Sequence, residues 1–258
     1  MDLGLKGKVA IVTGGSVGIG TAIALNLASE GCDVAINYRR HDTEAKKVVE
    51  DITAMGRKGL AIKADVSSYV DAQAMVETVV KEFGQLDILV CNAGINWDGV
   101  IWKMTEEQWD QVIAVNLKGV FLCLQETGKY FLQKSKQGNK TPGAIVNISS
   151  DAGRRGTIGQ INYGAAKTGV LGITMSAARE WSRQSIRVNS ICFGIIETQM
   201  TETIRSDKFV DRYLAQIPMG RIASAAEVSK PVCFLLSEAA SYVTGQHLSV
   251  NGGFHMGF

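Results

Sequence analysis

Seven short apolar runs punctuate the chain, at residues 8–12, 33–38, 59–63, 86–91, 144–148, 187–191 and 246–250. Each is too short for a helix and several are rich in β-branched residues, so each reads as a strand buried on both faces. Between the runs, apolar positions recur at helical spacing instead. Ile19, Ile23 and Leu27 share a face, and further helices are expected over about 43–55, 71–83 and 105–134, from near Tyr163 onward, and up to about 236. Thr105 with Gln108, and Ser224 with Glu227, have the capping-box spacing that marks a helix start. Strand and helix alternating throughout predict an α/β fold: a Rossmann-like, doubly wound, seven-stranded parallel sheet with helices on both faces and ligands beyond the carboxyl ends of the strands. No linker, repeat or low-complexity block intervenes. Residues 1–258 therefore read as a single domain, with a cofactor-binding half over about 1–140 and a catalytic and substrate-binding half over about 141–258. Segment 199–217 is polar and amphipathic, suited to a lid over substrate.

The first run leads at once into TGGSVGIG and then a helix, which is the context a dinucleotide-binding loop requires. Gly14 permits the tight turn, Gly18 lets backbone approach a pyrophosphate, and Gly20 permits close packing of helix on strand. The helix N-terminus offers unpaired N–H groups to the anion. The competing reading is a structural glycine turn, against which the flanking strand and helix weigh. The second strand ends in Tyr38, Arg39 and Arg40, where enzymes selecting NAD usually carry a carboxylate; a guanidinium there suits a 2′-phosphate, so NADPH is expected, with NADH not excluded. A solvated basic turn before a helix is the alternative. Asp65 either accepts from an adenine amino group or caps the following turn. Asn92-Ala93-Gly94, after the fourth strand, allows close approach to a cofactor, and Asn92 can brace neighbouring strands.

The stretch 143–172 carries the candidate chemistry. Tyr163 and Lys167 stand four apart on one helical face. A phenol has an ordinary pKa near 10, so it exchanges protons at neutral pH only if a cation stabilises the phenolate, and Lys167 is placed to supply one. Ser150, at the end of the preceding strand, is positioned to hold a carbonyl oxygen beside the phenol while the proton moves. The stretch is built to protonate a ketone or deprotonate an alcohol. Alone, Y-x-x-x-K is an ordinary helix pair. Asn116, inside the long helix, either bonds back to its own helix or holds a water beside Lys167.

Composition narrows the field. The chain has 258 residues with a formal net charge of +2, which gives no basic face for nucleic acid. Its five cysteines are odd in number and mostly sit inside apolar runs, as reduced core thiols do. Three histidines and no paired-cysteine motif make a metal site improbable, so none is assigned. Nothing marks the chain for export or a membrane, and a cytoplasmic location is expected.

Taken together, TGGSVGIG at 13–20, NAG at 92–94, Asn116, Ser150, Y-x-x-x-K at 163–167 and TGQHLSVNGG at 244–253 make the chain resemble the short-chain dehydrogenase/reductases over nearly its whole length. Within that family it is most similar to 3-oxoacyl-[acyl-carrier-protein] reductases and their acetoacetyl-CoA relatives, notably in IRVNSI, IETQMT and PMGRIASAAEV. The resemblance implies a catalytic tetrad: Tyr163 as the acid, Lys167 lowering its pKa and binding nicotinamide ribose, Ser150 polarising the carbonyl, and Asn116 holding a relay water. It implies cofactor contacts from Gly14, Ser16, Gly18, Ile19, Gly20, Tyr38, Arg39, Arg40, Asp65, Val66, Asn92, Ala93, Gly94, Gly194, Ile196 and Thr198, besides Tyr163 and Lys167. It also implies a homotetramer acting in fatty acid biosynthesis on a carbonyl substrate presented by acyl carrier protein or CoA. Two rivals are a reductase or dehydrogenase of free ketones and alcohols, aromatic ones included, and a non-catalytic nucleotide-binding protein. Four features depart from the family pattern: Val17 where NADP-preferring relatives often have arginine, Phe193 for a usual proline, Cys91 for a common asparagine, and a long connection at 134–143. That connection and Arg154-Arg155 are basic enough to receive an acidic carrier, or are simply a solvated face. Trp97, Trp102 and Phe193 are expected near the pocket mouth, where they would favour a bulky or aromatic ketone, unless core packing claims the tryptophans.

Overall fold

A computed structural model describes residues 2–257. The strands are β1 (Val9–Val12), β2 (Asp33–Tyr38), β3 (Gly59–Lys63), β4 (Ile88–Cys91), β5 (Gly143–Ser150), β6 (Ile186–Phe193), the two-residue pieces β7 (Ile196–Glu197) and β8 (Ala223–Ser224), and β9 (His247–Val250). Seven of them form one parallel sheet in the order β3-β2-β1-β4-β5-β6-β9, while β7 and β8 pair only with each other. The order reverses between β1 and β4, which opens a crevice at their carboxyl ends.

Alternate strand residues serve opposite faces. Ala10, Val12, Val34, Ile36 and Val90 pack on one side with Leu27, Val48, Val228 and Val232 from α1 (Gly18–Ser29), α2 (Asp42–Ala54) and α9 (Ala225–Leu236). Val9, Ile11, Leu89, Ile145 and Val188 pack on the other with Met75, Leu124, Phe131 and Val170 from α3 (Tyr69–Phe83), α5 (Gly119–Lys136) and α7 (Ile161–Trp181). Because both faces are covered, the strands read as continuous apolar runs rather than alternating ones. Two short helices complete the chain, α6 (Ala152–Arg155) and α8 (Val210–Leu214).

The expected long helix from 105 is two helices. The Thr105/Gln108 capping box opens α4 (Glu106–Ile113), and a wide π turn at Ala114–Lys118 separates it from α5. Such turns insert an extra residue and free a backbone carbonyl, and they recur at functional sites. The second expected capping box is only half made. Ser224 Oγ accepts from Glu227 N at 3.2 Å, but the Glu227 carboxylate turns to Arg221 at 2.6 and 2.8 Å. A charged fork outcompetes a backbone N–H for that carboxylate. Segment 199–217 is a 3₁₀ turn at Gln199–Thr201 followed by α8, moored where it begins by Arg205 Nη2 donating to Thr198 O at 3.1 Å.

All five cysteines are free and buried. Lys134, counted with the basic connection, is not available to a partner: its Nζ donates to Asp87 at 2.6 Å and to Leu86 O at 2.7 Å. Among the described residues, no helix is long and apolar enough to cross a membrane, and no cluster of potential metal ligands occurs.

Candidate active site

The glycine loop lies at the β1/β4 crevice. Gly14 has φ +63°, a backbone that L side chains rarely adopt, and a Cβ there would stand 2.8 Å from Ala93 Cα. Gly20 is tighter still, since a Cβ would meet Gly14 O at 2.1 Å. The turn is strapped to β4 by Thr13, whose Oγ1 accepts from Asn92 N at 2.9 Å and Ala93 N at 3.0 Å, and by Asn92 Nδ2, which donates to Thr13 O at 2.9 Å and Gly14 O at 3.1 Å. Thus Asn92 braces the loop, as expected, and Thr13 is an unforeseen second strap. Helix α1 starts after Val17 with no side-chain cap and no acidic residue in its first turn. Its leading N–H groups are left for an anion, which is how these residues fit a pyrophosphate. Ser16 is buried and Ile19 packs on the core behind the loop. Thr198, remote in sequence, closes the loop from the far side, its Cγ2 lying 3.6 Å from where a Gly18 Cβ would be.

At the neighbouring carboxyl ends of β2 and β3 stand Tyr38, Arg39, Arg40 and Asp65. Arg39 Nε pairs with Asp65 Oδ2 at 3.1 Å. The other Asp65 oxygen accepts from Ser67 N at 3.0 Å and Ser67 Oγ at 2.6 Å, so this carboxylate does cap the turn. Burial opposes its charge, but the Ser67 hydrogen bonds and the Arg39 guanidinium outweigh that and hold its pKa below the ordinary value. Tyr38 Oη donates to Asp42 at 3.3 Å. Val66 is buried and faces Gly119 in α5. Asn37, which the sequence did not single out, joins three strand ends: its Oδ1 accepts from Gly14 N at 3.4 Å and its Nδ2 donates to Ala64 O at 2.9 Å.

Helix α7 brings Tyr163 and Lys167 to the end of β5. Lys167 is only 3% exposed and donates to Ile148 O at 2.9 Å, with its Nζ 5.6 Å from the Tyr163 ring centre. Burial pulls its pKa down to about 8, partly offset by the thiols of Cys91 and Cys192. Burial pushes the Tyr163 phenol above its ordinary value; the Ser150 hydroxyl against it works the other way, and Asp98 adds to the rise. Lys167 does not acidify the phenol in this arrangement, because its ammonium is turned to the strand carbonyl. Asn116 does not bond back to its own helix. Its Oδ1 accepts from Ile95 N at 2.8 Å and its Nδ2 donates to Ile95 O at 2.8 Å, and the π turn at this residue aims it across to that loop instead of along its own helix. A Cβ on Gly94 would lie 3.4 Å from Asn116 Oδ1 and 3.6 Å from Lys167 Nζ, so glycine keeps the space before both groups open.

Asn162 fixes the start of α7. Fully buried, it donates to Trp97 O and Gln108 O at 3.0 Å each and accepts from Tyr163 N at 2.8 Å. The loops at 97–103 and 156–161 are zipped by Gly99 N to Gly159 O at 2.8 Å and Gln160 Nε2 to Asp98 Oδ2 at 3.1 Å. They raise an apolar rim beside Tyr163 in which Trp102 is 81% and Ile158 91% exposed. Those tryptophans are not core residues. Phe193 is one: it is 4% exposed and packs in the interior, so it lines no pocket mouth.

Beyond β6, Gly194 packs tightly on Asn251, where a Cβ would come within 2.8 Å, and Ile196 is buried in β7. Asn251 Nδ2 donates to Asp151 Oδ2 at 2.8 Å and to His255 O at 2.9 Å. Asp151 is buried directly after Ser150, and burial raises its pKa against the Asn251 hydrogen bond. Of the basic pair in α6, Arg154 donates to Ser249 Oγ at 2.7 Å and Arg155 lies 3.8 Å from the Phe254 ring centre, so both already have internal partners.

A family model described as Enoyl-(Acyl carrier protein) reductase matches residues 14–255. A 3-oxoacyl-[acyl-carrier-protein] reductase FabG of Staphylococcus aureus strain Mu50 is 45% identical over 249 residues, covering 96% of this chain and 98% of that protein. A 3-oxoacyl-[acyl-carrier-protein] reductase of Synechocystis is 40% identical over 253 residues, covering 98% of each. Among solved structures, a putative short-chain alcohol dehydrogenase from Sinorhizobium meliloti superposes with a TM-score of 0.92 at 34% identity, covering 98% of both chains. A Serratia marcescens short-chain dehydrogenase/reductase mutant superposes with a TM-score of 0.88 at 35% identity, covering 97% of this chain and 98% of that one.

Proposed function

This chain belongs to the short-chain dehydrogenase/reductase family, and we propose that it is an oxidoreductase reducing 3-oxoacyl thioesters, carried on acyl carrier protein or CoA, at the expense of NADPH. One observation carries the reading: Ser150, Tyr163 and Lys167 converge at the carboxyl end of β5, beside a glycine loop whose helix start is left uncapped. The family model and the curated relatives bear names for different reductions, of a carbon–carbon double bond and of a carbonyl. The Ser150 hydroxyl against the phenol favours the carbonyl, because two O–H donors suit an oxygen that gathers negative charge.

NADPH, when bound, supplies the hydride. The protein's own groups position the substrate and deliver the proton. Gly14 through Gly20 and the α1 N-terminus would hold the pyrophosphate, Arg39 and Arg40 would take the 2′-phosphate, and Gly194, Ile196 and Thr198 would hold the nicotinamide end. Ser150 donates to the carbonyl oxygen. Tyr163 then gives that oxygen its phenolic proton, and the negative charge left on the phenolate would draw the Lys167 ammonium from Ile148 O to stabilise it. A phenol held above its ordinary pKa is fully protonated at neutral pH, the state that reduction starts from. An alkoxide is a stronger base than a phenolate, so the transfer runs downhill. Oxidation must start from the phenolate and is expected to need alkaline pH.

Tyr163→Phe should keep nucleotide binding and lose on the order of 10²–10⁴ in turnover, the usual worth of a positioned acid. Turnover within threefold of the parent would remove Tyr163 from the mechanism. The exposed Trp102 and Ile158 rim favours a second reading, reduction of free, bulky or aromatic ketones. Rates of NADPH loss with acetoacetyl-CoA and with an aryl ketone separate the two. Brisk ketone reduction without thioester turnover selects the second.

A further inference from the structure

We propose that Asp65 is a specificity-determining residue that restrains Arg39, so the strength of the preference for a 2′-phosphorylated nucleotide is set by competition between this carboxylate and the phosphate. The proposal rests on the reading of Arg39 as a 2′-phosphate contact. Arg39 follows directly on β2 and Asp65 lies two residues beyond β3, and parallel pairing of Tyr38 with Lys63 brings the two ends side by side. The guanidinium Nε is committed to Asp65 Oδ2 at 3.1 Å. Asp65 is itself fixed by Ser67 N and Oγ, and its own backbone N–H donates to Asp71 Oδ2 at 2.8 Å. It is a stationary anion, not a swinging one.

The other charges around this rim are also accounted for. Lys63 pairs with Asp42 at 3.2 Å, and His41 lies 3.7 Å from Glu44. Arg40 is the guanidinium of the pair that has no carboxylate within 4.0 Å among the described residues. An arriving phosphate therefore meets one uncompensated cation, Arg40, and one whose charge is already balanced and whose Nε edge is taken. Arginine binds phosphate best through two parallel N–H donors, and part of that capacity is spent on Asp65. The Arg39–Asp65 pair is solvated, Arg39 more than Asp65. Such pairs contribute little, so Asp65 tunes the preference without blocking the site.

Calorimetric titration of the full chain with 2′,5′-ADP and with 5′-AMP tests this without turnover. Asp65→Asn keeps an oxygen for Ser67 and removes only the charge. The ratio of 2′,5′-ADP to 5′-AMP affinity should rise about fivefold, which at 1.4 kcal/mol per tenfold is about 1 kcal/mol. In an Arg39→Gln background the same substitution should change that ratio by less than twofold, because the competed guanidinium is gone. An unchanged or lower ratio in Asp65→Asn alone overturns the proposal. So does an equal gain in the Arg39→Gln background, which would make Asp65 a plain repulsive charge. Failure of the underlying NADPH reading looks different: Arg39→Gln by itself would then leave the parent ratio unaltered.

Discussion

Lys167→Met should trade turnover for stability, in a way that pH reveals. Lys167 is buried, and its pKa of about 8 against an ordinary 10.5 means that folding at neutral pH carries an ammonium into poor solvent at a cost of about 3 kcal/mol, at 1.36 kcal/mol per pKa unit. The sign follows from proton counting. Below about pH 8 both folded and unfolded chains hold the proton and the whole cost is felt. Between about 8 and 10.5 the unfolded chain holds a proton that the folded one has released, so stability rises with pH. Above 10.5 both are neutral and the cost is gone. Methionine removes the charge and keeps the volume, but it leaves Ile148 O without its donor, a loss of about 1–3 kcal/mol. At pH 7 the variant should therefore range from equal to about 2 kcal/mol more stable than the parent. By pH 10 its advantage should have fallen by roughly 2–3 kcal/mol, making it the less stable protein. Urea unfolding of both proteins at pH 7, 8.5 and 10 measures the difference, and subtraction removes every other titrating group. A difference that does not vary with pH, or a variant less stable than the parent by more than 2 kcal/mol at pH 7, would refute the claim that burial sets this lysine's pKa.

Two glycines should respond in opposite directions. Gly20→Ala puts a Cβ 2.1 Å from Gly14 O, a backbone atom that cannot swing aside, so it should cost about 1–3 kcal/mol in overpacking and weaken 5′-AMP binding at least tenfold; binding within twofold of the parent by calorimetry would contradict the packing. Gly172 lies in α7, is exposed, and has no atom within 4 Å of a would-be Cβ, so Gly172→Ala should add about 1 kcal/mol from helix propensity, read as a rise in thermal midpoint; a fall would mean that this face is covered.

The sheet was legible because its strands are buried on both faces and therefore spell continuous apolar words, and because Gly14, Gly18 and Gly20 follow the first of them at once. Tyr163, Lys167 and Ser150 could be grouped because two share a helix face and the third ends the adjoining strand. What escaped was interaction across sequence distance. Asn162 and Asn37 are ordinary letters until their amides are seen spanning three backbone segments. The π turn at Asn116 has no periodicity of its own, since one inserted residue in a long amphipathic run barely alters the pattern. Four-residue α6 and the two-residue strands β7 and β8 are too short to carry any. Phe193 was misassigned for a related reason: position next to Gly194 did not reveal which way its ring would turn.

The bond between Asn251 and Asp151 joins residues 100 positions apart, and it fastens the turn directly behind Ser150. During synthesis at about 5–20 residues per second, that turn must wait on the order of 5–20 seconds for its clasp to leave the ribosome. Until then the Asp151 carboxylate stays in water, where it is comfortable. A nascent chain with most of its sheet assembled is consequently still without a fastened turn behind Ser150, and that fastening arrives only after the last strand.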